Sequence, residues 1–96
     1  MRHTYIITYD ICEARRLRAV FQLMQGYGTH RQYSVFECEL NPTELAELRG
    51  RLSAIINHDE DQVMFADLGP TEGRGGTAIT AIGLPYARDE RRVIVV

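Results

Sequence analysis

The sequence predicts a small α+β domain in which strands and helices alternate. Three observations lead to this prediction. β-branched and aromatic residues fill positions 4–9, apolar residues recur at helical spacing from position 14, and a proline opens an amphipathic segment at position 42. At 96 residues a single domain is expected, with its core at about 4–68 and an extra strand and C-terminal tail over 69–96.

The first two elements are a strand and a helix. The run "TYIITY" alternates, so that Thr4, Ile6, Thr8 and Asp10 share one face and Tyr5, Ile7 and Tyr9 the other. The period then changes to that of a helix from about residue 13 to residue 25. Its predicted apolar stripe consists of Ala14, Leu17, Val20, Phe21 and Met24.

The middle of the chain predicts two short strands and a second helix. Residues 29–40, "THRQYSVFECEL", are extended with a bend between two strands. Asn41 is a helix cap, Pro42 suits the first helical position, and Glu44 completes a capping box. The buried stripe of this helix is predicted to be Leu45, Leu48, Leu52 and Ile55.

The C-terminal third predicts further strands. An acidic turn at 57–61, expected to be solvated, precedes a strand at 62–68, a loop at 69–76 and another strand candidate at 77–83. The terminal "VIVV", 93–96, pairs either within its own chain or with the sheet edge of a partner. This order predicts a ferredoxin-like βαββαβ sandwich with extra C-terminal strands, whose open sheet face favours a homodimer.

The composition excludes several classes of protein. The chain has 45% hydrophobic residues but no apolar run near the ~20 residues of a membrane span, and no secretory pattern, so a cytoplasmic protein without membrane contact is expected. A net charge of −2 argues against indiscriminate coating of nucleic acid. Cys12 and Cys38 lack CxxC spacing and are expected to be free thiols.

Asp10 is the first candidate site residue, because it closes the first strand just before the helix. It suits a Mg²⁺ ligand, since Mg²⁺ takes one or two carboxylates and completes its shell with water and phosphate oxygens. Two copies related by a two-fold axis near Asp10 would supply such a pair. The alternative is a carboxylate that stabilises the start of the helix.

Arginines near Asp10 form the second candidate site. All eleven basic residues of the chain are Arg, whose planar fork binds phosphate in a bidentate manner. As a group these arginines could contact a nucleic-acid backbone, although each alone also fits a solvated surface. They are Arg15, Arg16, Arg18 and Arg31.

Three segments resemble a known family. The runs "YIITYDI" at 5–11, "RRLRAVFQLMQGYG" at 15–28 and "RQYSVFEC" at 31–38 are together similar to the CRISPR-associated Cas-two family, the small adaptation proteins also named CRISPR-associated endoribonucleases. The similarity covers roughly residues 4–68 and is weaker after residue 69. It implies a ferredoxin-like homodimer.

The resemblance also implies site residues and a role. Asp10 corresponds to the family's magnesium-binding aspartate, and Tyr9, Arg16, Arg18, Arg31 and Phe36 correspond to its neighbours in the motifs, with Ser34 in the same "SVFE" run. Family members join the CRISPR integrase, bridge its copies on duplex DNA and help to insert new spacers. Some have been assigned metal-dependent RNase or DNase activity, whereas others serve without catalysis.

Three interpretations therefore stand side by side. One is a Mg²⁺-dependent endonuclease, for which the sequence shows no obvious general base. Another is a non-catalytic scaffold that binds duplex DNA and the integrase. The third is a ferredoxin-like regulatory or metabolite-binding domain, for which no phosphate loop or ligand motif is found.

Overall fold

Strands and helices alternate in the computed structural model, which describes residues 1–87. The elements are β1 (His3–Asp10), α1 (Ala14–Gln25), β2 (Gly28–Gln32), β3 (Val35–Leu40), α2 (Pro42–Ile55), β4 (Gln62–Pro70) and the short α3 (Arg74–Thr77). The strands form one sheet in the order β2-β3-β1-β4, and every neighbouring pair is antiparallel. The predicted βαββαβ order is thus confirmed.

Both long helices begin at side-chain caps. The carboxylate of Glu13 accepts a hydrogen bond from the main-chain N–H of Arg16 at 2.9 Å and caps α1. Asn41 and Glu44 form the predicted capping box of α2, because each side chain accepts from the main-chain N–H of the other, at 2.8 and 2.9 Å. These bonds satisfy N–H groups that a helix start leaves without a partner.

The core lies between the two long helices and one face of the sheet. It takes alternate residues from β1 and β3 together with the inner stripes of α1 and α2. In α1 the buried part begins at Val20, since Leu17 remains 40% exposed although the helical spacing predicted it to be inside. The buried hydrophobic residues are Tyr5, Ile7, Tyr9, Val20, Met24, Phe36, Cys38, Leu40, Leu48 and Leu52.

The opposite face of the sheet is the one on which the candidate site lies. Thr8 of β1 pairs with Val35 of β3 and with Met64 of β4, so these three side chains share that face with Asp10. Met64 is 57% exposed. The face therefore presents apolar side chains that the long helices do not cover, and it is called the open face below.

The strand predicted at 77–83 is wrong. The chain instead forms α3 at 74–77, where Gly75 is buried so closely that an added Cβ would lie 2.3 Å from the carbonyl oxygen of Gly69. Residues 78–87 follow without regular structure, and Ile82 and Leu84 are 99% and 89% exposed. Alternating apolar residues form a strand only when another strand takes up their main-chain hydrogen bonds, and within residues 1–87 none does.

The last two expectations concern the C-terminal segment and a membrane span. The segment "VIVV", 93–96, lies outside the described residues, and its pairing stays a prediction. None of the helices within residues 1–87 is both long and apolar enough to cross a bilayer.

Candidate functional site

Asp10 ends β1 at the rim of the open face. Its position opposes Gln62 of β4, and its side chain is exposed. Within residues 1–87 its carboxylate makes no hydrogen bond or ion pair. It does not start the helix either, because Glu13 is the residue that caps α1. Asp10 is therefore a free carboxylate held at a strand end, and the helix-start alternative for it is wrong.

One chain supplies a single carboxylate, Asp10, to the proposed magnesium site. No group of three or more His, Cys, Asp or Glu side chains within residues 1–87 comes together as a metal cluster. Mg²⁺ nevertheless accepts one or two carboxylates with water in its other positions. A free Asp10 carboxylate fits that chemistry when a second one faces it, so a complete site requires a second copy.

Tyr9, Ser34 and Phe36 fix the strand end that carries Asp10. The main-chain N–H of Tyr9 donates to the carbonyl oxygen of Ser34 at 3.2 Å, which ties β1 to the turn between β2 and β3. The rings of Tyr9 and Phe36 stack with centroids 6.3 Å apart, and Phe36 is fully buried. Burial also raises the pKa of the Tyr9 phenol. These three residues thus have a structural place beneath Asp10.

Arg16 is occupied by acidic partners of its own chain. Its Nε donates to Oδ2 of Asp61 at 2.8 Å, and its guanidinium also contacts Glu60 at 3.1 Å. The Asp61 side chain is completely buried, whereas the turn before it, at 58–60, is exposed as the sequence predicted. The hydrogen bond from Arg16 holds the pKa of Asp61 well below its usual range. Arg16 therefore joins α1 to the loop before β4, and its guanidinium is not available to a phosphate in this arrangement.

Arg15 and Arg18 are exposed residues in the first half of α1, the helix that follows Asp10 in the chain. Arg18 has no hydrogen bond or ion pair within the described part of the chain, and Arg15 has no salt bridge there. Nearby Arg15 contributes to lowering the pKa of the Glu13 carboxyl, after the larger effect of hydrogen bonds from the helix N–H groups. These two guanidinium groups are the ones that α1 leaves open to solvent near Asp10.

Arg31 is held in a network on the open face. Its Nε donates to Oε1 of Glu37 at 2.9 Å, and its guanidinium carbon lies 4.3 Å from the ring centre of Tyr86. The Tyr86 hydroxyl donates to the Glu37 carboxylate, with oxygen distances of 2.7 and 2.8 Å. Burial and the hydrogen bond to Glu37 raise the pKa of Tyr86. Arg31 thus anchors residues 78–87 to the strands.

The structure brings together only part of the predicted site. Asp10, Tyr9 and Ser34 meet at one end of the sheet, and Arg15 and Arg18 lie on the adjoining helix. Arg16 and Arg31 are engaged elsewhere, Arg16 by Asp61 and Arg31 by Glu37. These two acidic partners were missed, although the acidic turn at 57–61 was a signal that a cation would be needed nearby.

The fold and site define a small ferredoxin-like domain whose first strand ends in an exposed carboxylate, which has no hydrogen bond or ion pair among residues 1–87. The model of the family described as CRISPR associated protein Cas2 matches residues 2–73. A Geobacter sulfurreducens protein named CRISPR-associated endoribonuclease Cas2 is 36% identical over 96 residues and covers all of both chains. A Rhodospirillum rubrum relative of that name, numbered 1, is 34% identical over 98% of this chain and 91% of its own. The chain belongs to the Cas2 family.

Solved structures agree with this assignment. Streptococcus pyogenes Cas2 superposes with a TM-score of 0.71 at 32% identity, over 83% of this chain and 99% of that one. A hypothetical protein from Thermus thermophilus superposes with a TM-score of 0.77 at 24% identity, over 91% and 98%, and shows the fold alone. The resemblance predicted from the three sequence segments is thus confirmed, and the metabolite-binding alternative is set aside.

Proposed function

We propose that this chain is a CRISPR adaptation protein that acts as a homodimer. The dimer bridges copies of the CRISPR integrase on duplex DNA during spacer acquisition, in the cytoplasm. The observation that carries the proposal is the free, exposed carboxylate of Asp10 at the end of β1 in a chain of the Cas2 family. A carboxylate without a hydrogen bond or ion pair among residues 1–87 is available for a ligand shared with a second copy.

The open face supplies the contact between the two copies. Val35 and Met64 lie on it together with Ile6, and Met64 is 57% exposed. Burial of such apolar surface stabilises association by roughly 25 cal/mol per Å² before the costs of binding. Asp10 stands at the rim of the same face, so a two-fold contact whose axis passes near this rim brings the two carboxylates towards each other.

The pair of Asp10 carboxylates is proposed to hold Mg²⁺. When bound, the ion would polarise a phosphate oxygen and lower the pKa of a coordinated water. Arg15 and Arg18, on the helix that follows Asp10, have no salt bridge among residues 1–87, and their part is to hold the phosphodiester backbone and stabilise added negative charge. Arg16 supports this arrangement indirectly by fixing the start of α1 against Asp61.

The proposal also includes nuclease activity. The two curated relatives described above carry the name endoribonuclease. We extend to this chain a metal-dependent cleavage of phosphodiester bonds, with RNA or DNA as substrate. Bridging requires only the dimer and the arginine contacts, whereas cleavage also requires the metal at Asp10. The two activities can therefore be separated by one substitution.

The decisive experiment compares Asp10→Asn with Glu72→Gln, an exposed acidic control. Both proteins are tested for mass in solution, for Mg²⁺ binding by titration calorimetry, for cleavage of labelled RNA and DNA, and for spacer acquisition in cells. We expect Asp10→Asn to remain dimeric, lose Mg²⁺ binding and lose any cleavage, and the control to behave like the unaltered protein. A monomeric unaltered protein, or unchanged Mg²⁺ binding in Asp10→Asn, would contradict the metal proposal.

The spacer-acquisition assay distinguishes a bridging role from a nuclease role. If Asp10→Asn still supports acquisition, bridging alone accounts for the cellular role. If acquisition disappears while the dimer and its integrase complex persist, the purely structural role is refuted. Failure of the unaltered protein to cleave any nucleic acid in the presence of Mg²⁺ would refute the nuclease part alone.

A further inference from the structure

Tyr33 is the most exposed aromatic side chain among the described residues. It occupies the first position of the two-residue turn that joins β2 to β3, and it is 94% exposed. Two-residue hairpin turns usually take Asn, Asp or Gly at these positions. A Tyr side chain there contributes nothing to the core, so the turn itself does not account for it.

The turn that carries Tyr33 is held from both sides. His30 bonds through Nε2 to the carbonyl oxygen of Tyr33 at 2.8 Å, and the N–H of Tyr9 donates to the carbonyl oxygen of Ser34 at 3.2 Å. The His30 ring is itself fixed by Phe36, with centroids 4.9 Å apart. The main chain is therefore pinned while the aromatic ring projects into solvent.

The turn lies beside Asp10. Thr8 pairs with Val35 in the β1–β3 ladder, so continuing that register sets Tyr9 opposite Ser34 and Asp10 opposite Tyr33. The Tyr9–Ser34 hydrogen bond shows that β1 and the turn before β3 remain adjacent at this point. A ring that touches none of the described residues thus stands next to a carboxylate that is equally free.

Cationic groups are close to the same end of the sheet. Phe21 of α1 packs edge-on against His30 of β2, with centroids 5.0 Å apart. Arg18 precedes Phe21 by three residues, so it lies on the same side of α1, one turn nearer to the end that follows Asp10. The strand end thus carries an exposed aromatic ring beside Asp10, and the helix that follows it carries an exposed guanidinium with no hydrogen bond or ion pair among residues 1–87.

We propose that Tyr33 is a stacking platform for an unpaired base of a single-stranded nucleic acid. The inference rests on the proposed function, because the backbone phosphate next to the stacked base lies at Asp10. Single strands are bound by aromatic rings that cover base faces and by cationic groups that follow the backbone. A duplex offers no free base face to such a ring, so the platform selects unpaired over paired segments.

The surroundings of Tyr33 favour a base over an apolar protein surface. Gln32 and Ser34 are its chain neighbours, and Gln32 is also exposed. These two neighbours add no apolar surface to the turn, and a single base is large enough to cover a single ring.

The test measures binding of labelled oligonucleotides to the full chain and to Tyr33→Ala, Tyr33→Phe and the exposed control Leu84→Ala. The oligonucleotides are a single-stranded RNA, a single-stranded DNA and a blunt DNA duplex, each in buffer with Mg²⁺. We expect Tyr33→Ala to weaken single-strand binding roughly 5- to 30-fold, and Tyr33→Phe to retain it, because the ring provides the stacking. Duplex binding is expected to change less than twofold in every variant.

A spectroscopic measurement distinguishes stacking from a loss of structure. A single strand that contains 2-aminopurine changes its fluorescence when that base stacks on a ring. We expect the change with the unaltered protein and Tyr33→Phe, and its loss with Tyr33→Ala. Equal single-strand affinity of Tyr33→Ala and the unaltered protein overturns the inference. Failure of the proposed function appears differently, as unchanged Mg²⁺ binding in Asp10→Asn, whatever Tyr33 does.

Discussion

Arg16 and Asp61 join three parts of the chain that are far apart in sequence. Nε of Arg16 donates to Oδ2 of Asp61 at 2.8 Å, and the Asp61 carboxylate also accepts from the main-chain N–H groups of Cys12 and Asn57, each at 2.8 Å. The carboxylate thus fixes the segment directly after Asp10, the first turn of α1 and the loop before β4. Asp61 therefore helps to hold the strand end that carries the candidate metal ligand.

The loss of stability at low pH is expected to depend on Asp61. Hydrogen bonds, chiefly from Arg16, lower the pKa of Asp61 in the folded state. The folded state therefore binds its proton less readily than the unfolded one. The resulting stabilisation is complete above the unfolded pKa of about 4 and is lost as the pH falls towards the lower folded value. Melting temperatures from pH 7 to pH 2 should fall steeply below pH 4 in the unaltered protein.

Asp61→Asn is the variant that checks this relationship. We expect a lower melting temperature at neutral pH and a flatter fall below pH 4, because the group that titrates is gone. Asp67→Asn is the matched control. Its carboxyl also has a lowered pKa, chiefly through the hydrogen bond from His3, but its side chain is 50% exposed, so a smaller change is expected. An Asp61→Asn curve parallel to that of the unaltered protein would contradict the argument.

The two cysteines are expected to react very differently with thiol reagents. Cys38 is fully buried, and burial raises the pKa of its thiol to about 12, so almost no thiolate forms at neutral pH. Cys12 is exposed. Titration with a chromogenic disulfide at pH 8 should modify one thiol per native chain rapidly and the other only in denaturant. Cys12→Ser should remove the rapid phase, and its persistence would contradict this assignment.

The sequence predicts those parts of the fold whose signals are local. The capping box of Asn41 and Glu44, the leucine stripe of α2 and the alternation in β1 each depend on residues a few positions apart, and all three are found. The place of Asp10 at the end of β1 follows from the same alternation. Local patterns therefore suffice for the element order from β1 to β4 and for the position of the candidate ligand.

The partners of the arginines could not be predicted in this way. Asp61 is 45 residues from Arg16, so only the packed fold shows that they meet. The charge pattern alone gave four equivalent arginines. In the structure Arg16 and Arg31 have acidic partners, whereas Arg18 has no hydrogen bond or ion pair with any of residues 1–87. The strand expected at 77–83 failed for a related reason, since alternation does not reveal whether a neighbouring strand is there to pair with.

Phe36 should be the residue of the "SVFE" run on which stability depends most. It is fully buried and contacts the rings of Tyr9, Phe21 and His30. Phe36→Ala is expected to lower the free energy of unfolding by about 3–5 kcal/mol, through lost burial and a cavity. Tyr33→Ala, at a 94% exposed position, should change it by less than about 0.5 kcal/mol. Urea titrations measure both, and similar losses in the two variants would contradict the assigned core.

The hydroxyl of Tyr86 is expected to hold the C-terminal segment on the open face. It donates to the Glu37 carboxylate, which is only 7% exposed. Tyr86→Phe removes this donor but keeps the ring beside Arg31, and it should cost about 1–3 kcal/mol, since the acceptor is charged and buried. Hydrogen exchange of residues 78–87 should accelerate accordingly. Tyr27→Phe is the matched control, because its hydroxyl donates to the half-exposed Glu47 at 2.8 Å, and almost no change is expected there.

Deletion of Val93 to Val96 is expected to weaken association with the integrase. β4 is an edge strand of the four-stranded sheet formed within residues 1–87, and a free edge takes up an additional strand from another chain through main-chain hydrogen bonds. The apolar "VIVV" has the β-branched composition that suits such an addition. Co-purification of the truncated chain with the integrase should fall several-fold, while its melting temperature stays within about 2 °C because the core formed within residues 1–87 keeps all its residues. Replacement of the four residues by Ser, which keeps the length, should have the same effect as deletion. Unchanged co-purification of both variants would show that the tail is not the element that binds the integrase.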